Sequence, residues 1–422
     1  MRRPVALLLS GVVFVAMSVS ACSAEREGAA LVFRQFDPPA EATGLQHAVD
    51  SWNEKHPDQQ VLMETLSGVG SGQQFAREAH TGSGPDVVQI SNVEVQDLAK
   101  PSVLLPLDEL AEDAPPGARL EDFSALDMAR IDGQTWALPW TVDTFGLAYR
   151  PDLLKQAGSA EPPTSWPELA AVARQAAGQD GDQQRSGFCF AAGSGPTAGQ
   201  WFPVNYYLWA NDATLIKKGA DGWQVGASVD QFRSAMDYFN SFFSHGASSR
   251  SMAAISSITD PQLTDGLVRG SCAMTMMAPQ SFRNTTADSD QVAVAPMPDG
   301  LVDGTTHLGG RMLGINANTD DPQLAWEFVR YLNSEKAFRQ IDQFAASAPV
   351  RNEIGTPANE QAYIDQIGHA ESFGQYTGAP IAIPTLQRLV NQEFGAVYSG
   401  QKSSQQAAEA LVAAIDSRLV AQ

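Results

Sequence analysis

A carboxylate and a tryptophan stand inside an apolar run between residues 132 and 154, which reads DGQTWALPWTVDTFGLAYRPDLL. Pro139 removes a ladder donor from any strand formed here, and an unpaired charge such as Asp143 is costly to bury. A strand that only fills a core would carry neither residue. The Asp143 carboxylate therefore needs a partner, either a bound solute or water. Trp140 beside it offers an apolar ring face, with core packing as the alternative role.

No catalytic or metal-binding pattern accompanies this stretch. The sequence has neither G-x-S-x-G nor H-E-x-x-H, and its six histidines are scattered. No Cys or His spacing is typical of a metal site. We expect no metal, no cofactor and no enzymatic activity. Because acids are abundant, an exported carbohydrate hydrolase with a distant carboxylate pair remains an alternative.

The N-terminus predicts export. Arg2 and Arg3 precede an apolar segment at residues 5–19, which is typical of a secretory signal peptide over residues 1–21, with a single buried helix as the alternative. The residues before Cys22 resemble a bacterial lipobox. That resemblance implies a lipid on Cys22, which would anchor the protein to the outer face of the cytoplasmic membrane. Residues 22–30 would then be a polar tether.

Charge and composition favour an exported globular protein. Removing residues 1–21 with their two arginines takes the net charge from −21 to −23, which disfavours nucleic acid and anionic membrane surfaces as partners. With 43% hydrophobic residues, a chain of this length is expected to form two lobes. Once Cys22 is set aside, Cys189 and Cys272 remain as either a disulfide or two buried thiols.

Hydrophobic periodicity predicts an α/β fold. Strands at 31–36, 61–63 and 86–90 alternate with helices at 43–55 and 73–79, the order of a mostly parallel sheet covered by helices. Later segments predict long helices over 322–340 and 404–419. Within the opening stretch, residues 137–149 predict two short strands that meet at a crossing between lobes, the first ending at Pro139.

Several segments, taken in order, resemble the family 1 extracellular solute-binding proteins of ABC importers, the family of maltose-binding proteins. TGSGPDVV at 81–88 resembles the family's GxGPDVV, and DGQTWALP at 132–139 resembles DGKxYxxP. AYRPDLL at 148–154 resembles YYNKDLL, and PPTSWPE at 162–168 resembles PPKTWDEL. GSCAMTM at 270–276, GG and LGIN at 309–316 and APVR at 348–351 complete the series. The resemblance covers nearly the whole chain after the tether.

The resemblance implies two α/β lobes around a ligand cleft, a type II periplasmic-binding-protein-like fold. One lobe would hold residues 31–140 and 297–345, and the other residues 141–296 and 346–422. Cys189 and Cys272 then fall in the same lobe. The implied function is to capture a carbohydrate and deliver it to ABC permease subunits, as a monomer.

The expected solute contacts lie at strand ends, because ligands in open α/β sheets bind beyond the carboxyl ends of strands. Sugars need aromatic faces and fixed polar groups. Asp37 follows the first strand, with helix capping as its alternative role. The family places an acid at the position of Asp143. The other strand-end candidates are Asn92, Glu94, Trp140, Gly310 and Arg311.

Three further candidates come from the second lobe. The aromatic run at 200–209 follows a glycine-rich loop, and Trp201 and Tyr206 are favoured as ligand-facing, although helical spacing leaves core packing open. Gln280 replaces a stacking tryptophan of maltose-binding members, which argues against a long linear maltodextrin. Arg351 would clamp a hydroxyl or phosphate, or brace the lobes. With Arg311, it makes a glycerophosphodiester or another phosphorylated solute the alternative ligand.

Overall fold

The computed structural model describes residues 28–66, 71–180, 183–287 and 290–420. The predicted signal peptide, Cys22 and most of the predicted tether lie outside these residues. Export and lipidation therefore stay predictions from the sequence.

The described strands and helices follow each other along the chain in a mixed α/β order. The strands are β1 (Leu31–Gln35), β2 (Val61–Thr65), β3 (Val87–Ser91), β4 (Arg130–Ile131), β5 (Gln134–Thr135), β6 (Leu138–Asp143), β7 (Gly146–Tyr149), β8 (Gly178–Asp180), β9 (Gln183–Cys189), β10 (Ile216–Gly219), β11 (Gly222–Val225), β12 (Cys272–Met277), β13 (Ala293–Ala295), β14 (Gly309–Ile315) and β15 (Phe344–Ala345). The helices are α1 (Pro39–Asn53), α2 (Ser71–His80), α3 (Val95–Leu98), α4 (Asp108–Ala111), α5 (Leu126–Ala129), α6 (Pro151–Gln156), α7 (Trp166–Ala176), α8 (Trp201–Ala210), α9 (Val229–Ser244), α10 (Pro261–Val268), α11 (Pro279–Thr286), α12 (Pro322–Leu332), α13 (Glu335–Phe338), α14 (Ala348–Ile354), α15 (Gln361–Asp365), α16 (Ile383–Tyr398) and α17 (Ser404–Leu419).

The first lobe is built on a sheet whose described strands run in the order β15-β6-β14-β3-β1-β2. β1 is parallel to both β2 and β3, and α1 and α2 connect these strands, which confirms the predicted β-α-β-α-β order. β14 returns from later in the chain and runs antiparallel to β3 and β6. The carboxyl ends of β1, β3 and β6 therefore lie at the same edge as the beginning of β14, and this edge carries most candidate residues of the lobe.

The second lobe is built on a sheet in the order β13-β7-β12-β9-β8, in which β12 is parallel to β9. The chain passes between the sheets at residues 144–145, which join β6 to β7, and at residues 296–308, which join β13 to β14. We call the second of these the long crossing. The predicted residue limits of the lobes stay a prediction. Tyr363, which follows the last strand, packs against both Phe282 of α11 and Phe344 of β15, so it contacts elements of both predicted lobes.

The core of the second lobe is aromatic. Trp166 of α7 packs edge-on against Tyr207 and Phe239, and Phe188 of β9 packs against Phe242 of α9. α16 and α17 add their apolar faces to the same core. Within it, Cys189 and Cys272 are joined in a disulfide between neighbouring strands, with 6.0 Å between their Cα atoms.

Pro139 does not end a strand, contrary to the expectation from its missing N–H. β6 continues through it to Asp143, and Pro139 pairs with Met312 next to a register shift at which Trp140 is the extra residue of β6. A proline is tolerated at such a bulge, where the ladder is already interrupted. The strand therefore carries Asp143 to the edge of the first lobe.

The predicted helix over residues 322–340 is two helices. α12 ends at Leu332, and Ser334 then caps α13 by accepting a hydrogen bond from the backbone N–H of Ala337. A side-chain oxygen in this position satisfies a donor that a continuous helix would have used, so the apolar period continues across a break. Across the described residues, no helix is both long and apolar enough to cross a membrane.

Candidate ligand-binding cleft

A cavity of about 200 Å³ lies between the lobes. The first lobe contributes Asp143 from the end of β6, Arg311 from β14 and Gln343 before β15. The second lobe contributes the start of α11, including Gln280. Three of the predicted contact residues, Asp143, Gln280 and Arg311, are thus brought to one space between the two sheets.

Arg311 is held in place by Asp37. Its Nε and Nη2 each lie 3.1 Å from Asp37 Oδ1, and its guanidinium lies 4.9 Å from the ring centre of Phe36. The other Asp37 oxygen accepts a hydrogen bond from Gln89 Nε2 at 2.7 Å. Asp37 is only 2% exposed and does not cap α1, so its role is to anchor Arg311.

Asp143 faces the cavity with a partly free carboxylate. Its side chain is 33% exposed, and the charged or ionisable neighbour found within ion-pair distance among the described residues is His307, whose Nε2 lies 3.6 Å from Asp143 Oδ1. Burial lowers the pKa of His307, against the opposing effect of Asp143, which favours the neutral imidazole. The carboxylate charge is therefore not cancelled by its neighbour and is available to hydroxyl donors.

Aromatic rings surround His307 beside this carboxylate. Phe373 stacks on the imidazole with 5.3 Å between ring centres, and Phe145 and Phe202 lie 5.1 and 5.6 Å from it. Phe202 and Phe373 are half-buried, so each retains an exposed edge. Such faces can pack on the apolar side of a sugar ring.

Trp140 is not at the cavity surface, which corrects the prediction that it contacts solute. Its side chain is 0% exposed, donates a hydrogen bond from Nε1 to the Leu332 carbonyl at 3.2 Å and packs against Phe338. Trp140 belongs to the same core cluster as Leu138 and Val142, whereas Asp143 lines the cavity. The tryptophan therefore fills the core of the first lobe.

Trp201 and Tyr206 are also enclosed, contrary to their predicted exposure to ligand. Trp201 packs against Phe373 and Tyr376 in the second core, and it is 4% exposed. Tyr206 is 0% exposed, and its hydroxyl lies 2.6 Å from His307 Nδ1. Both residues support the ring group around His307 from behind.

Asn92, Glu94 and Gly310 serve the frame of the cleft. Asn92 Nδ2 donates to the carbonyl of Leu308 in the long crossing at 2.9 Å, and Glu94 Oε2 accepts from the backbone N–H of Ser91 at 3.1 Å. Gly310 has φ +130°, and a Cβ there would lie 2.0 Å from the Thr141 carbonyl oxygen. Only glycine lets β14 approach β6 closely enough to present Arg311.

Arg351 lies at a different cavity, of about 490 Å³, together with Pro357 and Glu360. Its Nη1 donates to the carbonyls of Ala345 and Ala346, and burial lowers its pKa. It is 8% exposed, which fits the bracing role and not a contact in the 200 Å³ cavity. Arg311 and Arg351 therefore do not form a joint phosphate clamp.

Sequence reasoning missed His307, which lies beside Asp143, and the rings of Phe145 and Phe373 that pack on it. His307 lies in the irregular long crossing, where no hydrophobic period assigns it a face. Phe373 begins a short 3-10 turn at Phe373–Tyr376, far from the cleft in sequence. Phe202 was missed as well, although it belongs to the aromatic run from which Trp201 and Tyr206 were chosen. The described residues hold no group of three or more His, Cys, Asp or Glu suited to a metal ion.

Comparison with known proteins identifies the family. The model of the bacterial extracellular solute-binding protein family matches residues 34–337, which is more than half of the chain. The chain belongs to this family. As a solute-binding protein of this kind, it is of the exported class, and the interlobe cavity is where a member of the family would be expected to hold its ligand.

The solute-binding protein has distant curated and structural relatives. It is 22% identical to the maltodextrin-binding protein MdxE of Bacillus subtilis, over 82% of each chain. Its structure matches the GacH receptor of Streptomyces glaucescens, described unliganded and in complex with acarbose, with TM-score 0.73 and 21% identity over 92% of this chain and 98% of that one. It also matches the sugar-binding protein MalE of Xanthomonas citri with TM-score 0.75 and 18% identity over 93% and 97%. These likenesses establish the two-lobed fold.

Proposed function

We propose that this protein binds a carbohydrate between its lobes and delivers it to the permease of an ABC importer, held at the membrane by lipid on Cys22. The observation that carries the proposal is the partly exposed Asp143 carboxylate, which faces an interlobe cavity beside the anchored guanidinium of Arg311. The relatives' reported ligands, maltodextrin and acarbose, support the same class of solute.

The chemistry of the cavity suits a neutral polyol. A carboxylate accepts hydroxyl protons, while Arg311 and the amide of Gln280 donate to hydroxyl oxygens. Because Asp37 already neutralises Arg311, the site does not require an anionic ligand. Gln280 in place of an aromatic ring removes one stacking surface, which favours a short sugar over a long linear maltodextrin.

A phosphorylated solute is the weaker candidate. The guanidinium of Arg283, which also lines the cavity, already pairs with Glu360 at 2.7 Å and with Asp342 at 3.1 Å. Arg311 pairs with Asp37, and Arg351 belongs to the other cavity. Desolvating a phosphate beside Asp143 and Asp342 would add repulsion without offering a free cation.

The mechanism is a shift between open and closed arrangements of the lobes. The solute contacts Asp143 of the first lobe and Gln280 of the second only when both are near, so its binding energy favours the closed form. Thr377 of the second lobe donates a hydrogen bond to Gln96 of the first, which is a direct contact between the lobes. No bond is made or broken in the solute.

A thermal-shift screen with mono-, di- and amino-sugars, maltodextrins, polyols and glycerophosphodiesters tests the proposal. A solute that binds only the folded protein raises Tm, because at a hundredfold excess over Kd it increases the free energy of unfolding by about 2.7 kcal/mol. We expect a short sugar to give the largest shift. A shift with a phosphodiester alone would transfer the proposal to phosphorylated solutes, and release of product from a glycan would identify a hydrolase.

Asp143→Asn is the matching variant. Loss of the carboxylate should weaken sugar binding by about 10- to 100-fold, since hydrogen bonds to a charged group contribute about 1.5–3 kcal/mol. The matched control is Asp320→Asn, which changes an exposed acid next to α12. Equal affinity of the two variants would remove Asp143 from the site.

A further inference from the structure

His307 occupies an enclosed position in the long crossing, next to the candidate sugar-binding carboxylate. The residue is 8% exposed, and its ring lies nearly parallel to Tyr206, with 5.8 Å between centres and 11° between planes. The crossing is tied to both sides, since the Leu308 carbonyl accepts from Asn92 and the Leu308 N–H donates to the Glu371 carbonyl at 2.6 Å. The orientation of the imidazole is thus fixed by its surroundings.

The two ring nitrogens of His307 have different neighbours. Nδ1 lies 2.6 Å from the Tyr206 hydroxyl, and Nε2 lies 3.6 Å from Asp143 Oδ1. Gly309 preserves this second approach, because a Cβ at that position would lie 2.3 Å from Asp143 Oδ1 and 2.8 Å from His307 Nε2. Any other residue at 309 would push the carboxylate and the imidazole apart.

The carboxylate beside Nε2 decides where the proton of the ring lies, because the Tyr206 hydroxyl also has Thr306 as a hydrogen-bond partner and could either donate to Nδ1 or accept from it. Burial raises the pKa of Tyr206 well above its usual range, so the phenol keeps its proton, and a neutral imidazole carries only one N–H. If Tyr206 donates to Nδ1, the N–H is on Nε2 and points at the carboxylate. The other tautomer would set the Nε2 lone pair against Asp143, which is repulsive.

We propose that His307, oriented by Tyr206, is a positioning residue that holds the Asp143 carboxylate for a solute hydroxyl and makes solute affinity fall on acidification. The Nε2–H faces one carboxylate oxygen and leaves the second to the solute. This role rests on the proposed sugar binding at Asp143. Protonation of His307 would create an ion pair with Asp143, which competes with the solute for the same carboxylate.

Other ionisable groups surround His307 and must be separated from it. Tyr206 lies on α8, Asp143 ends β6, and Arg311 shares the cavity with Asp143. Glu371 lies on the segment paired with the crossing, and burial raises the pKa of its carboxyl. Glu371 therefore also titrates in acid, and a Glu371→Gln variant isolates the contribution of His307.

The first experiment needs no solute. In ¹H–¹⁵N spectra of histidine side chains of the purified protein, His307 is identified by the signal missing from His307→Gln, with His47→Gln on the exposed face of α1 as the matched control. We expect the Nε2–H tautomer of His307 at pH 7. In Tyr206→Phe, the imidazole should be a mixture of both tautomers, because the donor to Nδ1 is gone. An Nδ1–H tautomer, or a charged ring at pH 7, overturns the proposal.

The second experiment titrates the sugar that gives the largest thermal shift, at pH 7 and pH 5. We expect the wild type and Glu371→Gln to lose affinity at least threefold at pH 5, while His307→Gln binds about tenfold more weakly at pH 7 and has a flat pH profile. The affinity of Tyr206→Phe for the sugar at pH 7 should lie between those of the wild type and His307→Gln, because the change is milder. If His307→Gln loses affinity between pH 7 and pH 5 as strongly as the wild type, the proposal is overturned. A screen in which no sugar binds instead defeats the proposed function, and the tautomer result still decides whether Tyr206 orients the Nε2–H of His307 toward Asp143.

Discussion

Arg311 and Asp37 join the end of β1 to β14 through an ion pair of 3.1 Å, with the carboxylate almost completely buried and the guanidinium at the cavity. Gln89 from β3 satisfies the second oxygen of Asp37. Three strands of the first lobe thus cooperate to present one guanidinium toward the second lobe. The pair connects the stability of the lobe with the geometry of the site.

Arg311→Gln is expected to lower both stability and solute affinity. Removing one partner of a buried pair leaves an uncompensated charge, which costs about 3–5 kcal/mol when both groups are buried. The 28% exposure of the Arg311 side chain reduces the expected loss to roughly 1–3 kcal/mol, measured by urea denaturation. Adding Asp37→Asn should restore part of the stability, since the orphaned charge is removed. Strictly additive losses would show that the two residues do not interact.

Trp140→Ala and Phe202→Ala are expected to distinguish a residue that stabilises the core from one that contributes to solute binding. Trp140 is fully buried beneath α12 and α13, so its removal should cost about 3–5 kcal/mol of unfolding free energy and leave Kd for the solute unchanged. Phe202 is half-buried beside His307, so its removal should weaken solute binding more than it lowers stability. Denaturation and calorimetric titration of both variants test this. Weaker binding by folded Trp140→Ala would return the tryptophan to the site.

The sequence predicted what depends on local periodicity and on charge burial. The alternation of β1, α1, β2, α2 and β3 follows from apolar spacing, and Asp143 was found because a carboxylate in an apolar run needs a partner. Trp140 was predicted from its position after Pro139 alone, and an apolar ring has no such need for a partner, so the burial argument did not extend to it.

His307 and Phe373 could not be found in this way. Both lie in irregular segments, and their neighbours are far away in sequence: Asp143 and His307 are brought together only by the pairing of β6 with β14. Pro139 illustrates the same limit, because the irregular pairing of β6 with the distant strand β14 decides whether its missing N–H matters. Local patterns do not record such tertiary pairings.

Acidification is expected to destabilise the ligand-free protein through His307. Burial lowers the folded-state pKa of His307 below its usual value of about 6.5, so the unfolded chain binds the proton first as pH falls. The stabilising contribution is fully present above pH 6.5 and is lost as pH falls through the folded-state pKa, by at most about 1.4 kcal/mol per pH unit for one proton. Glu371, with a raised pKa, acts in the opposite direction.

The measurement is the unfolding free energy between pH 7.5 and 5 for the wild type and His307→Gln. The wild-type curve should fall more steeply below pH 6.5, and His47→Gln should follow the wild type. Parallel curves for the wild type and His307→Gln would mean that His307 is protonated as easily in the folded state as in the unfolded chain.

Reduction of the disulfide is expected to lower stability and leave solute affinity intact. The bond joins Cys189 and Cys272 across a sequence separation of 83, and closure of a loop of that length restricts the unfolded chain by about 4–5 kcal/mol in the chain-entropy description. Both residues lie in the core of the second lobe, on β9 and β12. A reductant should therefore lower the Tm of the wild type by several degrees. Cys189→Ala/Cys272→Ala should begin at a lower Tm and not respond to reductant, while Kd for the solute stays within about twofold in both proteins, because the bond lies within one lobe and not across the cleft. An equal Tm with and without reductant in the wild type would show that the two sulfurs are not bonded in solution.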